Sequence, residues 1–183
     1  MKLYIITNYK KRYPELNGSK LTDALIKTCI DKPDLEISRT VKGKPYCEGM
    51  HFSVSHSMDV FACVFSDENI GLDIQHKRNV KAEKIAGRYF TDEELKLIEE
   101  EQHEHKEFFR LWTRKEAYCK YTGEGLSQIL RKVDVINRED VYFIDLMIED
   151  EQNEEDCFCA ICVKNGDRQE AKGDIIDEIQ ITY

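Results

Sequence analysis

Apolar and polar positions along the chain follow two periods, and the switches between them mark its elements. Met1-Lys2-Leu3-Tyr4-Ile5-Ile6-Thr7-Asn8 is a short apolar run that reads as a first strand and is too short for a signal peptide. Tyr9 to Gly18 is polar and basic and reads as a loop. Ser19 is placed to cap a helix reaching about Ile30, because Leu21, Ala24, Leu25, Thr28 and Cys29 recur at i, i+3, i+4, i+7 and i+8. Leu35 to Arg39 alternates and predicts a strand, and Gly43-Lys44-Pro45 is turn chemistry. Period two then continues through His51–Ser55, Val60–Phe65 and Ile70–Gln75, with Ser66 to Asn69 a hairpin loop between the last two.

The pattern turns helical at Thr91-Asp92-Glu93-Glu94, a capping box with Thr at the N-cap and Glu at N3. Glu99, Glu100 and Glu101 close that piece as a solvated acidic face. A longer helix follows through Phe108 and Trp112 and is stopped by Gly123. From Lys132 the period returns to two, in Val133–Val135, Tyr142–Ile148, Cys157–Val163 and Glu178–Tyr183, with Glu149 to Asp156 a long exposed hairpin loop. The order is strand, helix, meander, then helix, meander. That is two halves of similar element order, residues 1–80 and 81–183, without a residue-level repeat.

Composition narrows the class. The 183 residues, 41% hydrophobic and 34% charged, suit a soluble globular protein with a real core. No apolar run is long enough to span a bilayer. Seven cysteines without a secretory signal predict reduced thiols and a cytoplasmic protein. The net charge of −9 argues against nucleic acid as a partner and offers no global attraction to an anion. A phosphate site would have to be made locally.

Two stretches carry chemistry. On the long helix, Phe108, Trp112, Glu116 and Lys120 are spaced four apart and share one ridge. Spacing alone leaves two readings: a surface Glu–Lys pair in the favourable order, or two charged groups pointing into a cleft lined by the aromatics. In Ile70-Gly71-Leu72-Asp73-Ile74-Gln75, Gly71, Asp73 and Gln75 share the face opposite the three aliphatics. An Asp there asks for an explanation, because strands disfavour it.

Together with Phe52-Ser53-Val54-Ser55-His56-Ser57, these segments resemble the surfactin-type 4′-phosphopantetheinyl transferases. That family has a phenylalanine-x-(isoleucine or valine)-serine-histidine-serine segment, then a glycine-aliphatic-aspartate segment. A tryptophan-x-x-lysine-glutamate-(alanine or serine) segment follows. All three occur here in that order, with Gly43-Lys44-Pro45 upstream and Lys120 four residues after Glu116.

The resemblance implies an α+β fold of two pseudo-symmetric halves, each a helix packed on a small, mostly antiparallel sheet, forming one functional unit with the site between them. It implies transfer of the 4′-phosphopantetheine arm of coenzyme A to a serine of an acyl or peptidyl carrier protein, releasing adenosine 3′,5′-bisphosphate. Asp73 and Glu116 become the expected Mg²⁺ ligands, Glu116 the expected base, and Lys120 the group facing the departing phosphate. Lys44, Pro45, Ser55, His56 and Lys120 become the expected coenzyme A contacts. Because both halves lie in one chain, a monomer is expected.

Two departures stand out. Gln75 occupies a position where many members carry a third acidic group, so it is a weaker candidate metal ligand. Gly18 falls near an Arg that grips the 3′-phosphate in the family, and Lys11, Arg12 and Lys20 are possible substitutes that spacing does not separate. They keep open a degenerate coenzyme A- or carrier-binding protein on the same fold. An unrelated Mg²⁺-dependent phosphoryl or nucleotidyl transferase also stays open, although no Gly-rich phosphate loop is present.

Other residues invite less. Cys159 and Cys162 have a metal-like spacing, but no second pair or downstream His completes four ligands, so buried strand residues are expected. His103 and His105 read as solvent-facing, and His51 and His76 have no partner pattern.

Overall fold

In the computed structural model, residues 1–16, 18–41, 43–101, 105–125, 133–148 and 156–166 are described, together with the backbone of 178–182. β1 (Lys2–Thr7) lies inside a four-stranded sheet of order β4-β5-β1-β9, where β4 is His51–Ser57, β5 is Val60–Ser66 and β9 is Glu178–Thr182. β4 and β5 form a hairpin, β1 runs antiparallel to β5, and β9 is parallel to β1. A three-stranded antiparallel sheet has the order β6-β8-β7, from Ile70–His76, Cys157–Lys164 and Val141–Ile148.

Four layers result. α2 (Gly18–Cys29) sets Leu25 and Ile26 against Tyr4, Ile6, Phe61 and Cys63 on the first sheet. The other face of that sheet, with Leu3, Ile5, Val60, Ala62 and Val64, meets Ile70, Leu72, Ile74 and Ile161 of the second. The far side of the second sheet, with Phe143, Ala160 and Cys162, is covered by α5 (Lys106–Thr122) through Phe109 and Ala117. β5 and β8 are therefore covered on both faces, which is why both read as nearly unbroken apolar runs. Cys157 and Cys159 face the core between the sheets while Cys162 faces α5, so the Cys-x-x-Cys spacing points to opposite faces. All seven cysteines are free thiols.

Several local expectations change. Ser66 to Asn69 is a crossover between sheets, because β5 already has β4 and β1 on its two edges. Within the expected loop, Tyr9–Arg12 forms a single helical turn, α1, that buries Tyr9. Ser19 lies inside α2, which starts at Gly18, and so does not cap it. Of Leu35–Arg39 only Ser38–Arg39 (β2) pairs, with Pro45–Tyr46 (β3). Val133–Val135 is not a strand; Asp134 instead draws the backbone into a turn by accepting from the N–H groups of Ile136 and Asn137. Lys132, Tyr183, His103 and the expected loop from 149 to 155 lie outside the described residues. His105 is exposed, as is His51, whereas His76 is buried.

From Thr91 the helical region follows its sequence signals closely, whereas the helix just before it has no counterpart among the elements expected from the sequence. α3 spans Ala82–Tyr89, and α4 (Asp92–Glu100) carries the Thr91–Glu94 capping box. Gly123 closes α5 in the left-handed region at φ 72°, its N–H donating to Cys119 O. Glu99 and Glu100 are exposed, but Glu101 caps α5 by accepting from the N–H groups of Lys106 and Glu107. Sheet membership exchanges strands across residue 80: β6 joins β7 and β8, and β9 returns to β1.

Candidate active site

Three serines on one face of β4 connect the two sheets. Ser53 Oγ accepts from Leu72 N–H at 3.0 Å and Ser57 Oγ from His76 N–H at 2.9 Å. Between them Ser55 Oγ donates to Asp73 Oδ1 at 2.8 Å. The alternating serines thus satisfy backbone donors of β6 and fix its one carboxylate. On the face of β6 that carries Asp73, Gly71 lets α5 pack backbone to backbone, since a Cβ there would stand 2.0 Å from Ala117 O. That approach brings the ridge of α5 over Asp73.

Lys120 Nζ donates to Asp73 Oδ1 at 2.9 Å and to Val54 O at 3.0 Å. Glu116, one turn earlier, is half-buried, and no hydrogen-bond donor among the described residues reaches its carboxylate. Burial first, and the Asp73 charge second, push its pKa up to about 7, with Lys120 opposing. Lys44 Nζ donates to Lys120 O at 2.6 Å, which ties the β2–β3 hairpin to the last turn of α5. Burial and the Lys120 charge hold the Lys44 ammonium below the usual lysine range.

Two adjoining cavities, of about 300 and 480 Å³, share Gly43, Pro45, Val54, Glu116 and Lys120. Lys44 and Cys119 line the first; Ser55, His56 and Asp73 line the second. His56 stands at the border with a third cavity of about 460 Å³, walled by Tyr9, Lys10, Tyr13 and Leu21. Lost solvation, then the Lys120 and Lys10 charges, lower the His56 pKa, while Asp73 opposes. The ring is therefore neutral near pH 7. Gln75 lines none of these cavities; its Nε2 donates to His76 O at 3.1 Å and Ser57 Oγ at 3.4 Å.

Of the sequence candidates, Lys44, Pro45, Ser55, His56, Asp73, Glu116 and Lys120 thus converge on one trough, and Gln75 stands aside. Arg39 lines the trough unforeseen, held by Asp23 Oδ1 at 2.6 Å and Ser19 O at 3.2 Å. Antiparallel pairing of β2 with β3 sets Arg39 opposite Pro45, a register that no local sequence signal announces. Lys11, Arg12 and Lys20 line none of the three cavities, whereas Lys10 lines the third.

The family model of the 4′-phosphopantetheinyl transferase superfamily matches residues 69–162, half of the chain, and so includes Asp73, Glu116 and Lys120. The chain belongs to this superfamily. It is 32% identical over 131 residues to 4′-phosphopantetheinyl transferase Sfp of Bacillus subtilis, covering 66% of this chain and 58% of that protein. Similarity to the 4′-phosphopantetheinyl transferase HetI of a Nostoc species is 34% over 96 residues, 50% of this chain and 40% of that one. The L-aminoadipate-semialdehyde dehydrogenase-phosphopantetheinyl transferase of Schizosaccharomyces pombe is 36% identical over 115 residues, 51% and 45% of the two chains. The chain spans about half the length of the curated relatives it matches.

The α+β arrangement, with a helix outside each antiparallel-rich sheet, fits that family. No described helix is long and apolar enough to cross a membrane.

Proposed function

We propose that the protein transfers 4′-phosphopantetheine from coenzyme A to a serine of an apo carrier protein. The observation that carries this reading is the contact of Lys120 with Asp73, with Glu116 one turn away on the same α5 ridge. In the reaction the serine hydroxyl attacks the phosphorus bearing the pantetheine arm. A new O–P bond forms, and the bridging P–O bond to adenosine 3′,5′-bisphosphate breaks. Glu116 takes the hydroxyl proton; a carboxylate with pKa about 7 is matched to that task at neutral pH. Lys120 holds the charge gathering on the leaving phosphate, and Ser55 keeps Asp73 oriented. Lys44, Pro45, Ser55, His56 and Arg39 line the trough that would receive the coenzyme.

Mg²⁺ is part of this proposal. Among the described residues no group of three or more His, Cys, Asp or Glu is gathered as a metal cage. Mg²⁺, however, commonly rests on one or two carboxylates plus substrate phosphates and water. Asp73 and Glu116, the latter with a carboxyl that burial and the Asp73 charge push up to about 7, fit that mode. Gln75 would act only through a water. When bound, the ion would neutralise the pyrophosphate and the approaching oxygen.

Residues 1–80 and 81–183 would act as one unit, with Asp73 and Glu116 supplied by one monomeric, cytoplasmic chain. Incubation with coenzyme A, Mg²⁺ and an apo carrier tests the reading through release of adenosine 3′,5′-bisphosphate. Binding of coenzyme A without that release would favour a degenerate binding protein.

A further inference from the structure

Beyond the trough, Glu94 and Lys115 meet at 2.6 Å with neither side chain exposed to solvent. Glu94 Oε2 also accepts from Thr91 N–H at 2.8 Å, and Oε1 from Val135 N–H at 2.9 Å. Lys115 Nζ donates to Val133 O and lies 4.8 Å from the centre of the Phe90 ring. One ion pair therefore fastens α4, α5 and the segment from 133 to 135. Stability is a weak account of it, because apolar replacements of a buried pair are often as stable or more so. A buried polar network with its bonds satisfied does hold one geometry.

Successive side chains on a helix point about 100° apart. Lys115 is fixed on one flank of Glu116, and Ala117 on the other is seated on Gly71. With both neighbours held, α5 cannot roll about its axis. We infer that the Glu94–Lys115 pair is a positioning clamp that sets the rotation of α5 and so aims Glu116 and Lys120 at Asp73. Only its kinetic test rests on the transfer reading.

The test uses the double variant Glu94→Gln/Lys115→Met, which removes both charges together, and Lys115→Arg, which keeps the cation. The double variant should fold, by circular dichroism, and bind coenzyme A within about threefold of the wild type by calorimetry. Its kcat should fall on the order of 10²-fold with KM for coenzyme A little changed, as misplacement of reacting groups costs. Lys115→Arg should recover part of that loss. A crystal structure of the double variant should show the Glu116 carboxylate displaced relative to Asp73. A folded double variant with kcat within about twofold of wild type overturns the clamp, as does a loss that only tracks the unfolded fraction. Should the wild type transfer nothing, the reading of the reaction fails, and the two crystal structures decide the clamp alone. Coincident placement of Glu116 and Asp73 then overturns it, and displacement supports it.

Discussion

Gly71 lies so close beneath Ala117 that a methyl group at position 71 would stand 2.0 Å from the Ala117 carbonyl oxygen. It would also meet Tyr121 N at 2.6 Å. Both obstacles are backbone, so no side chain can swing aside. Gly71→Ala should lift α5 from β6 and destabilise the fold by about 3 kcal/mol, the upper end for overpacking. Chemical denaturation measures the stability loss. The Lys120–Asp73 contact should open with it, so transfer should fall further than the folded fraction.

Glu116 makes a second prediction, because its carboxyl is raised from 4.5 to about 7 by burial and Asp73. The folded state then holds a proton that the unfolded state has released between those values, so stability falls as pH rises from about 4.5 to 7. The penalty reaches at most roughly 3 kcal/mol above that window. Glu116→Gln should leave the melting temperature near that of the wild type at pH 4.5 and raise it at pH 8. Equal melting curves at both pH values would remove this source of strain and weaken the assignment of Glu116 as a neutral-pH base.

Asp73 should separate from Ser55 and Gln75 in a Mg²⁺ titration of activity. Asp73→Ala should lose on the order of 10²-fold or more, as a lost ligand or acid–base group does. Ser55→Ala and Gln75→Ala should lose about tenfold, the lower end of what removing a ligand's supporting partner costs. Gln75→Glu should lower the Mg²⁺ concentration required. A Gln75→Ala variant as inactive as Asp73→Ala would make Gln75 a principal ligand.

Because Ser55, Asp73, Glu116 and Lys120 meet within one chain, sedimentation should give a monomer whose specific activity is independent of dilution. Activity lost on dilution together with a larger species would show that a second copy completes the site.

Much of the site was legible because its chemistry sits on strongly periodic elements. The four-residue spacing of Phe108, Trp112, Glu116 and Lys120 placed them on one ridge, and period two put Asp73 on the face that α5 covers. The capping box at Thr91 and the stop at Gly123 are local devices, so tertiary packing left them intact. Long-range pairing was not legible. Nothing within Ser66 to Asn69 says that β5 has no free edge, so a crossover looked like a hairpin. Arg39 and Glu94 carry no local signal of their partners for the same reason. Arg39 reaches the trough only through the β2–β3 register, and Glu94 is already accounted for locally as half of a capping box, its pairing with Lys115 being set by helix packing. Val133–Val135 misled because an alternating triplet is too short to outweigh the turn that Asp134 makes.

The most direct test of the account is the mass of an apo carrier protein after incubation with this protein, coenzyme A and Mg²⁺. The account predicts a gain equal to one phosphopantetheine arm, mapped by fragmentation to a carrier serine, and its near absence with Asp73→Ala or Glu116→Ala. An unmodified carrier, with coenzyme A bound but intact, would contradict it.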